Sequence, residues 1–274
     1  MRNINYKLIL SDFDGTLSES DNRVPEEVKL AVAEYVNCGG VFAVCTGRML
    51  CSILPRVRAL GLKGLVAAYQ GTVIADIESG EIIRRDALSY SDVAEVCAYI
   101  ETLGFSINAY SDEVLYTDIR KGDEYLEKYE EITGVEAVSI ADKMSDYVVR
   151  RRLDCQKIAC LVAPEKRGYL YEKLAAKFNS RFDVTCSAKV LVEVSPLQNN
   201  KGEALRFIAE HYGIPLTSTV AIGDNFNDVS MIKTAAVGVA VANGETALKE
   251  AADYITVTNN ECAVAKIIEK FGFV

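Results

Sequence analysis

Asp12 and Asp14 stand one residue apart in LILSDFDGTL, directly behind an apolar run. On extended chain, side chains two positions apart point to the same side, about 7 Å from one another. Both carboxylates therefore face one spot, while Phe13 turns the other way, toward the core. Gly15 lets the backbone bend sharply just beyond them. Three further stretches carry matching chemistry: Thr46-Gly47-Arg48 behind VFAVC, Lys201 at the head of a helical run, and Asp224 with Asn227 and Asp228 behind STVAIG. Two like charges about 4 Å apart repel by about 4 kcal/mol at an effective dielectric of about 20. Four acids gathered together thus call for a cation, and an all-oxygen set without histidine suits Mg2+. Thr46, Lys201 and exposed backbone amides suit a bound anion instead. Cation, anion and a spare carboxylate together point to phosphoryl transfer. Geometry alone does not choose between Asp12 and Asp14 as the attacking group.

The elements around these residues alternate in type. YKLILSDF reads as a buried strand and PEEVKLAVAEYVNCGG as a helix with Pro25 at its first position. VFAVCTG, LCSILPRVRALG and LVAAYQG follow as strand, helix and strand, and TVIADIESGEIIRRD as a hairpin turning at Ser79-Gly80. From residue 200 the alternation resumes: NKGEALRFIAEHYG, NDVSMIKTA, GETALKEAAD and ECAVAKIIEKF are helical, with STVAIGD, AVGVAVA and YITVT as strands between them. Such alternation predicts an α/β fold, a doubly wound, mostly parallel sheet covered on both faces. Ligands bind such sheets beyond the carboxyl ends of the strands, which is where the candidate residues stand.

Residues 85–190 have a different character. Helical stretches (SYSDVAEVCAYIETLG, EKRGYLYEKLAAKFN) mix with strand-like ones (FSINAYS, VLYTD, KIACLVA, VLVEVS), and nine of the fourteen tyrosines lie there. Tyrosine suits half-exposed strands, and Tyr110 or Tyr116 is a candidate contact for a substrate's leaving group. VVRRRLDCQ, with Arg150, Arg151 and Arg152, reads as a solvated turn. A second domain at 85–190, inserted into a discontinuous core of 1–84 and 191–274, is the simplest organisation.

Bulk properties narrow the function. A net charge of −9 and a pI near 4.9 argue against nucleic acid or an anionic membrane as partner. The eight cysteines are scattered, with no Cys-x-x-Cys pair, and read as reduced, mostly buried thiols of a cytoplasmic protein. Nothing approaches the roughly 18 apolar residues a spanning helix needs, nor is there a signal-length start. The single histidine, His211, sits near a helix end before Gly213, where it faces solvent and favours the dipole. Multi-histidine metal sites and Ser-His or Cys-His catalysis are thereby set aside.

Taken in order, DFDGT, TGR, Lys201 in NNKGEAL and GDNFNDVSMI resemble the four motifs of the haloacid-dehalogenase superfamily of phosphatases. GVAVANGETALKEAADYITVTNNE further resembles its Cof-type branch, and the likeness spans nearly the whole chain. The resemblance implies a Rossmann-like core with an inserted α+β cap between the second and third motifs. It also implies Asp12 as nucleophile and Asp14 as general acid, then general base. Mg2+ would be held by the Asp12 carboxylate, the Asp14 backbone carbonyl and Asp224, with Asp228 in support. Phe13, Thr46, Gly47, Lys201 and Asn227 would bind the phosphoryl group. Gln70 stands where that branch commonly has Asn, and Asn199-Asn200 where a small residue is usual. The expected activity is a Mg2+-dependent phosphatase acting on a small phosphorylated metabolite, a sugar phosphate or a phosphorylated cofactor. A phosphomutase on the same scaffold and a non-catalytic binder of phosphorylated metabolites are the alternatives.

Overall fold

The computed structural model describes residues 2–119 and 122–274. The chain divides into two compact units, one of residues 1–47, 53–84 and 200–274, the other of residues 48–52 and 85–199.

In chain order the first unit supplies β1 (Leu8–Ser11), α1 (Glu26–Asn37), β2 (Val41–Cys45), most of α2 (Leu50–Ala59), β3 (Leu65–Ala68), β4 (Val73–Asp76) and β5 (Ile82–Arg85). The second unit follows with α3 (Tyr90–Thr102), β6 (Asn108–Ser111), β7 (Val114–Thr117), α4 (Glu124–Thr133), β8 (Ala137–Ser139), α5 (Met144–Arg151), β9 (Lys157–Leu161), α6 (Pro164–Phe178), β10 (Phe182–Ala188) and β11 (Leu191–Pro196). The chain then returns to the first unit for α7 (Lys201–His211), β12 (Thr219–Gly223), α8 (Val229–Thr234), β13 (Val237–Ala240), α9 (Thr246–Ala251), β14 (Tyr254–Ile255) and α10 (Ala263–Ile267).

The first unit is built on an eight-stranded sheet ordered β14-β13-β12-β1-β2-β3-β4-β5. From β14 to β3 every pairing is parallel, and β4 then runs antiparallel to β3. β1 and β12, side by side at the centre, are buried at every position, as their unbroken apolar runs require of strands covered on both faces. Helix α1 buries Val28, Val32 and Tyr35, one stripe at helical spacing. Pro25 caps this helix from just outside, with extended ψ of 148°, so the first helical residue is Glu26. His211 ends α7 exposed, as expected. The eight thiols form no disulfide; Cys45, Cys97, Cys155, Cys160 and Cys186 are buried.

The second unit holds a six-stranded mixed sheet ordered β10-β11-β9-β6-β7-β8. Alternation gives it two unlike faces. Ala109, Ile158, Cys160, Val184, Val192 and Val194 join one apolar cluster with Val96 and Ile100 of α3, Val148 of α5 and Leu174 and Phe178 of α6. Tyr116 packs on this apolar side, its ring 5.6 Å from that of Tyr147, so it belongs to the core and not to a ligand surface. On the other face the register aligns Asn108, Ala159 and Glu193 across β6, β9 and β11. There Lys157 and Glu193 form a fully buried ion pair at 2.7 Å, and Tyr110 donates its hydroxyl to Tyr129 at 2.9 Å.

Two expectations change here. The sequence pattern returns the chain to the first unit at residue 191, but β11 pairs with β9 and β10, so the second unit runs to Asn199. An apolar run such as VLVEVS reads alike whichever sheet receives it. Arg150 and Arg151 lie not in a turn but in the last turn of α5, where Arg150 pairs with Asp142. Only Arg152 leaves the helix, in a left-handed conformation (φ 51°).

The buried pair supplies a stability prediction. Glu193→Leu strands the Lys157 charge and costs about 3–5 kcal/mol, whereas Lys157→Met with Glu193→Leu together restores most of the loss. Urea unfolding of the three proteins reads this directly. Equal midpoints for the single variant and wild type would refute it.

Candidate active site

The acidic pair begins where β1 ends. The Asp12 amide still donates to Ile222 of β12 at 2.9 Å, so the chain stays paired one residue beyond the strand before it turns. Ser18 closes the turn, its amide and hydroxyl both donating to the Phe13 carbonyl. Gly15 is required at the apex for two reasons: its φ is +75°, and a Cβ there would lie 2.7 Å from Asp224 Oδ2. Phe13 is buried to 1%, so any contact it makes with a ligand is through its backbone. Asp14 is half-buried, close enough for its charge to act on Asp12.

Lys201 arrives as the first residue of α7, whose start is fixed by Asn200 accepting from the amides of Gly202 and Glu203 at 3.0 and 3.1 Å. Its ammonium, 1% exposed, donates to Asp12 Oδ1 at 2.5 Å and to Asp228 Oδ1 at 2.6 Å. The other oxygen of Asp228 accepts from the amides of Asp224 and Asn225 at 3.0 and 2.9 Å. Asp228 is thus engaged through both oxygens, by an ammonium and two backbone amides, and braces the turn behind β12. Asp224, the residue after β12, receives the Thr16 hydroxyl at 3.1 Å.

Carboxylate oxygens of Asp12, Asp224 and Asp228 all lie within 4.8 Å of one another. Two buried acids, Asp12 and Asp228, and the half-buried Asp224 share one lysine, so negative charge is in excess. Burial, reinforced by Asp228, Asp224 and Asp14, pushes the Asp12 carboxyl well above the usual range despite Lys201. Burial and the neighbouring Asp228 carry Asp224 up to about 7, against Lys201, Thr16 and a hydrogen bond from Asp12. For Lys201, burial alone would favour the neutral form, but Asp12 and Asp228 outweigh it, and the side chain stays charged. Asp228 already accepts three hydrogen bonds, so Asp12 and Asp224 are the carboxylates with most lone pairs left for a cation. Two hard oxygen donors that together hold surplus negative charge fit Mg2+.

The remaining expected residues stand at neighbouring strand ends. Thr46, 1% exposed, follows β2, with its amide donating to Ala67 of β3 at 2.9 Å, and Gly47 is half-buried beside it. Asn227 lies in the turn between Asp224 and α8, and its Nδ2 donates to Gln70 Oε1 at 2.8 Å. Direct contacts join Asp12, Lys201, Asp228, Asp224 and Thr16; Thr46 joins the group through the turn at Gln70 and so to Asn227. Two members escaped the sequence reading. Thr16 reaches Asp224 through its hydroxyl, and Asn243, just beyond β13, donates its Nδ2 to the Gly15 carbonyl at 2.9 Å and steadies the turn. Its place at the carboxyl end of a parallel strand was the available signal.

A profile described as haloacid dehalogenase-like hydrolase matches residues 9–268, and the chain belongs to that family, in its Cof-type branch. The phosphatase YwpJ of Bacillus subtilis is 28% identical, over 96% of this chain and 99% of that protein. The 5-amino-6-(5-phospho-D-ribitylamino)uracil phosphatase YcsE of the same organism is also 28% identical, over 97% of this chain and 95% of its own length. A crystal structure of a haloacid dehalogenase-like hydrolase from Bacteroides thetaiotaomicron superposes with a TM-score of 0.81 at 28% identity, covering 97% of this chain and 99% of that one. The chain is accordingly a phosphatase, a phosphoric monoester hydrolase acting on small phosphorylated metabolites. Among the described residues no helix is long and apolar enough to cross a membrane.

Proposed function

We propose that this phosphatase is Mg2+-dependent, works through an aspartyl-phosphate on Asp12, and takes a sugar phosphate or a phosphorylated cofactor precursor. The observation that carries the reading is the Asp12 carboxylate, pinned through one oxygen by Lys201 at the end of β1, with Asp224 within hydrogen-bond reach. Asp12 attacks phosphorus and the ester oxygen departs with a proton supplied by Asp14. Asp14, now a carboxylate, takes a proton from water as that water attacks the phosphorus, and Asp12 and inorganic phosphate are regenerated. Thr46, Gly47, Asn227 and the backbone at Phe13 hold the phosphoryl oxygens, while Lys201 offsets the charge of the nucleophile. Mg2+, held by Asp12, Asp224 and the Asp14 carbonyl, would supply the positive charge that lets an anionic carboxylate meet a phosphate dianion. The substrate class follows the phosphorylated ribityl compound on which the relative YcsE acts.

Phosphate release from a panel of sugar phosphates, phosphorylated ribityl compounds and phosphoglycolate, with Mg2+ or with chelator, tests this. Turnover that needs Mg2+ and favours polyhydroxylated leaving groups is expected. A folded protein that releases phosphate from none of them, or releases it equally with chelator, would overturn the proposal.

A further inference from the structure

The turn behind β3 takes an unusual backbone. Tyr69, Gln70 and Gly71 are left-handed in succession, with φ of 49°, 63° and 103°. For two non-glycine residues such a conformation is unfavourable and must be held by its surroundings. Three contacts hold it. The Gln70 amide donates to the Thr46 carbonyl at 2.9 Å. Gly71 is pressed against the start of α7, so that a Cβ there would lie 2.8 Å from Ala204 Cβ and 3.2 Å from the Asn200 carbonyl. The Gln70 side chain, in a residue only 3% exposed, meets the Asn227 amide. The strained turn, through Gln70 and Gly71, therefore ties together the end of β2, the helix that delivers Lys201 and the turn that follows Asp224.

The amide pair has a polarity. With Asn227 Nδ2 donating to Gln70 Oε1, Asn227 Oδ1 is buried and accepts no hydrogen bond. A buried amide oxygen without a donor is unfavourable, and a phosphate dianion, which offers only acceptors, cannot satisfy it. Turning both amides end over end keeps the bond, now from Gln70 Nε2 to Asn227 Oδ1. It also replaces the orphaned oxygen by an N–H, the group a phosphoryl oxygen needs.

We propose that Gln70 is a positioning residue for phosphate recognition: it accepts or donates in register with Asn227 and holds the Asn227 N–H toward the phosphoryl group. This rests on the reading above that Asn227 binds the phosphoryl oxygens. Gln70 acts on affinity for phosphate and not on the attacking or protonating groups. Its loss raises KM and weakens product inhibition while kcat stays nearly constant.

The test is a double-mutant cycle on Gln70→Met and Asn227→Ala, with para-nitrophenyl phosphate as substrate and inorganic phosphate as competitive inhibitor. Methionine keeps the length and the unbranched Cβ of glutamine, so the turn bears the same backbone strain. Each single variant is expected to weaken phosphate inhibition and raise KM by about ten- to a hundredfold, as the loss of one hydrogen bond to a charged group implies. The double variant should be no worse than Asn227→Ala alone, because Gln70 has nothing left to position. Effects that multiply, or a Gln70→Met protein with unchanged phosphate inhibition, would overturn the proposal while leaving the phosphatase reading intact. A wild type that neither turns over the ester nor binds phosphate would remove that reading, and this one with it.

Discussion

Asp12→Asn abolishes turnover, by about 10^4-fold or more, and leaves a folded protein that melts higher than wild type in metal-free buffer. The first effect follows from replacing the carboxylate proposed to attack phosphorus by an amide that cannot carry the phosphoryl group. The second follows from the charge balance. Burial, with Asp228, Asp224 and Asp14, lifts the Asp12 carboxyl in the folded protein above its unfolded value. Such a group contributes stability below the unfolded value near 3.8, and that contribution is lost as pH rises through the folded value. Asparagine imitates the protonated form at every pH and so keeps what the wild type has lost at neutrality. Lys201 is not stranded, because Asp228 still receives it at 2.6 Å. Each kcal/mol recovered raises the melting temperature by about 2–4 °C in a chain of this size. Thermal melts of both proteins in chelator, beside steady-state rates in Mg2+, read the two effects. A dead variant that melts lower than wild type would contradict the electrostatic half of the explanation.

Mg2+ binds more tightly as pH rises through about 7, and its binding expels a proton below that point. Asp224, held up to about 7 by burial and Asp228, must lose its proton to ligate a cation. Between pH 6 and pH 8 the ionised fraction of Asp224 rises about tenfold, and the apparent Kd should fall by at least that factor, because the raised Asp12 carboxyl must ionise as well. The sign for the metal-free fold is opposite: the contribution of Asp224 is full below the ordinary carboxyl value near 3.8 and disappears as pH climbs through about 7. Mg2+ should therefore stabilise most at alkaline pH. Calorimetric titration in buffers of different ionisation enthalpy counts the released protons. A Kd independent of pH, with no proton release at pH 6, would rule out Asp224 as the titrating ligand.

The parts of this site that lie at strand ends were legible because buried parallel strands are written as unbroken apolar runs. Asp12, Thr46 and Asp224 each follow one immediately, so naming the strands located the acids. What the reading missed depends on contacts between distant segments. Thr16 matters because Asp224 is brought back to it, and Asn243 because it reaches back to the Gly15 carbonyl. The second unit was less legible for a related reason. Helix α5 buries only Met144 and Val148, so three consecutive arginines mask its short apolar stripe. Helix α4 buries only Leu126 and Thr133. Strand β10 alternates Val184 and Cys186 with half-buried Asp183 and Thr185, a pattern that a polar loop can share until its partner β11 is known.

The nucleophile can be identified chemically during turnover. An acyl phosphate is reduced by borohydride to the alcohol, so rapid quenching of enzyme, Mg2+ and a turned-over phosphate ester into borohydride converts a phosphorylated aspartate to homoserine. Peptide mass spectrometry should find homoserine at position 12 only, dependent on substrate and Mg2+. Homoserine at position 14 or elsewhere, or rapid turnover with Asp12 never modified, would contradict an aspartyl-phosphate at the end of β1.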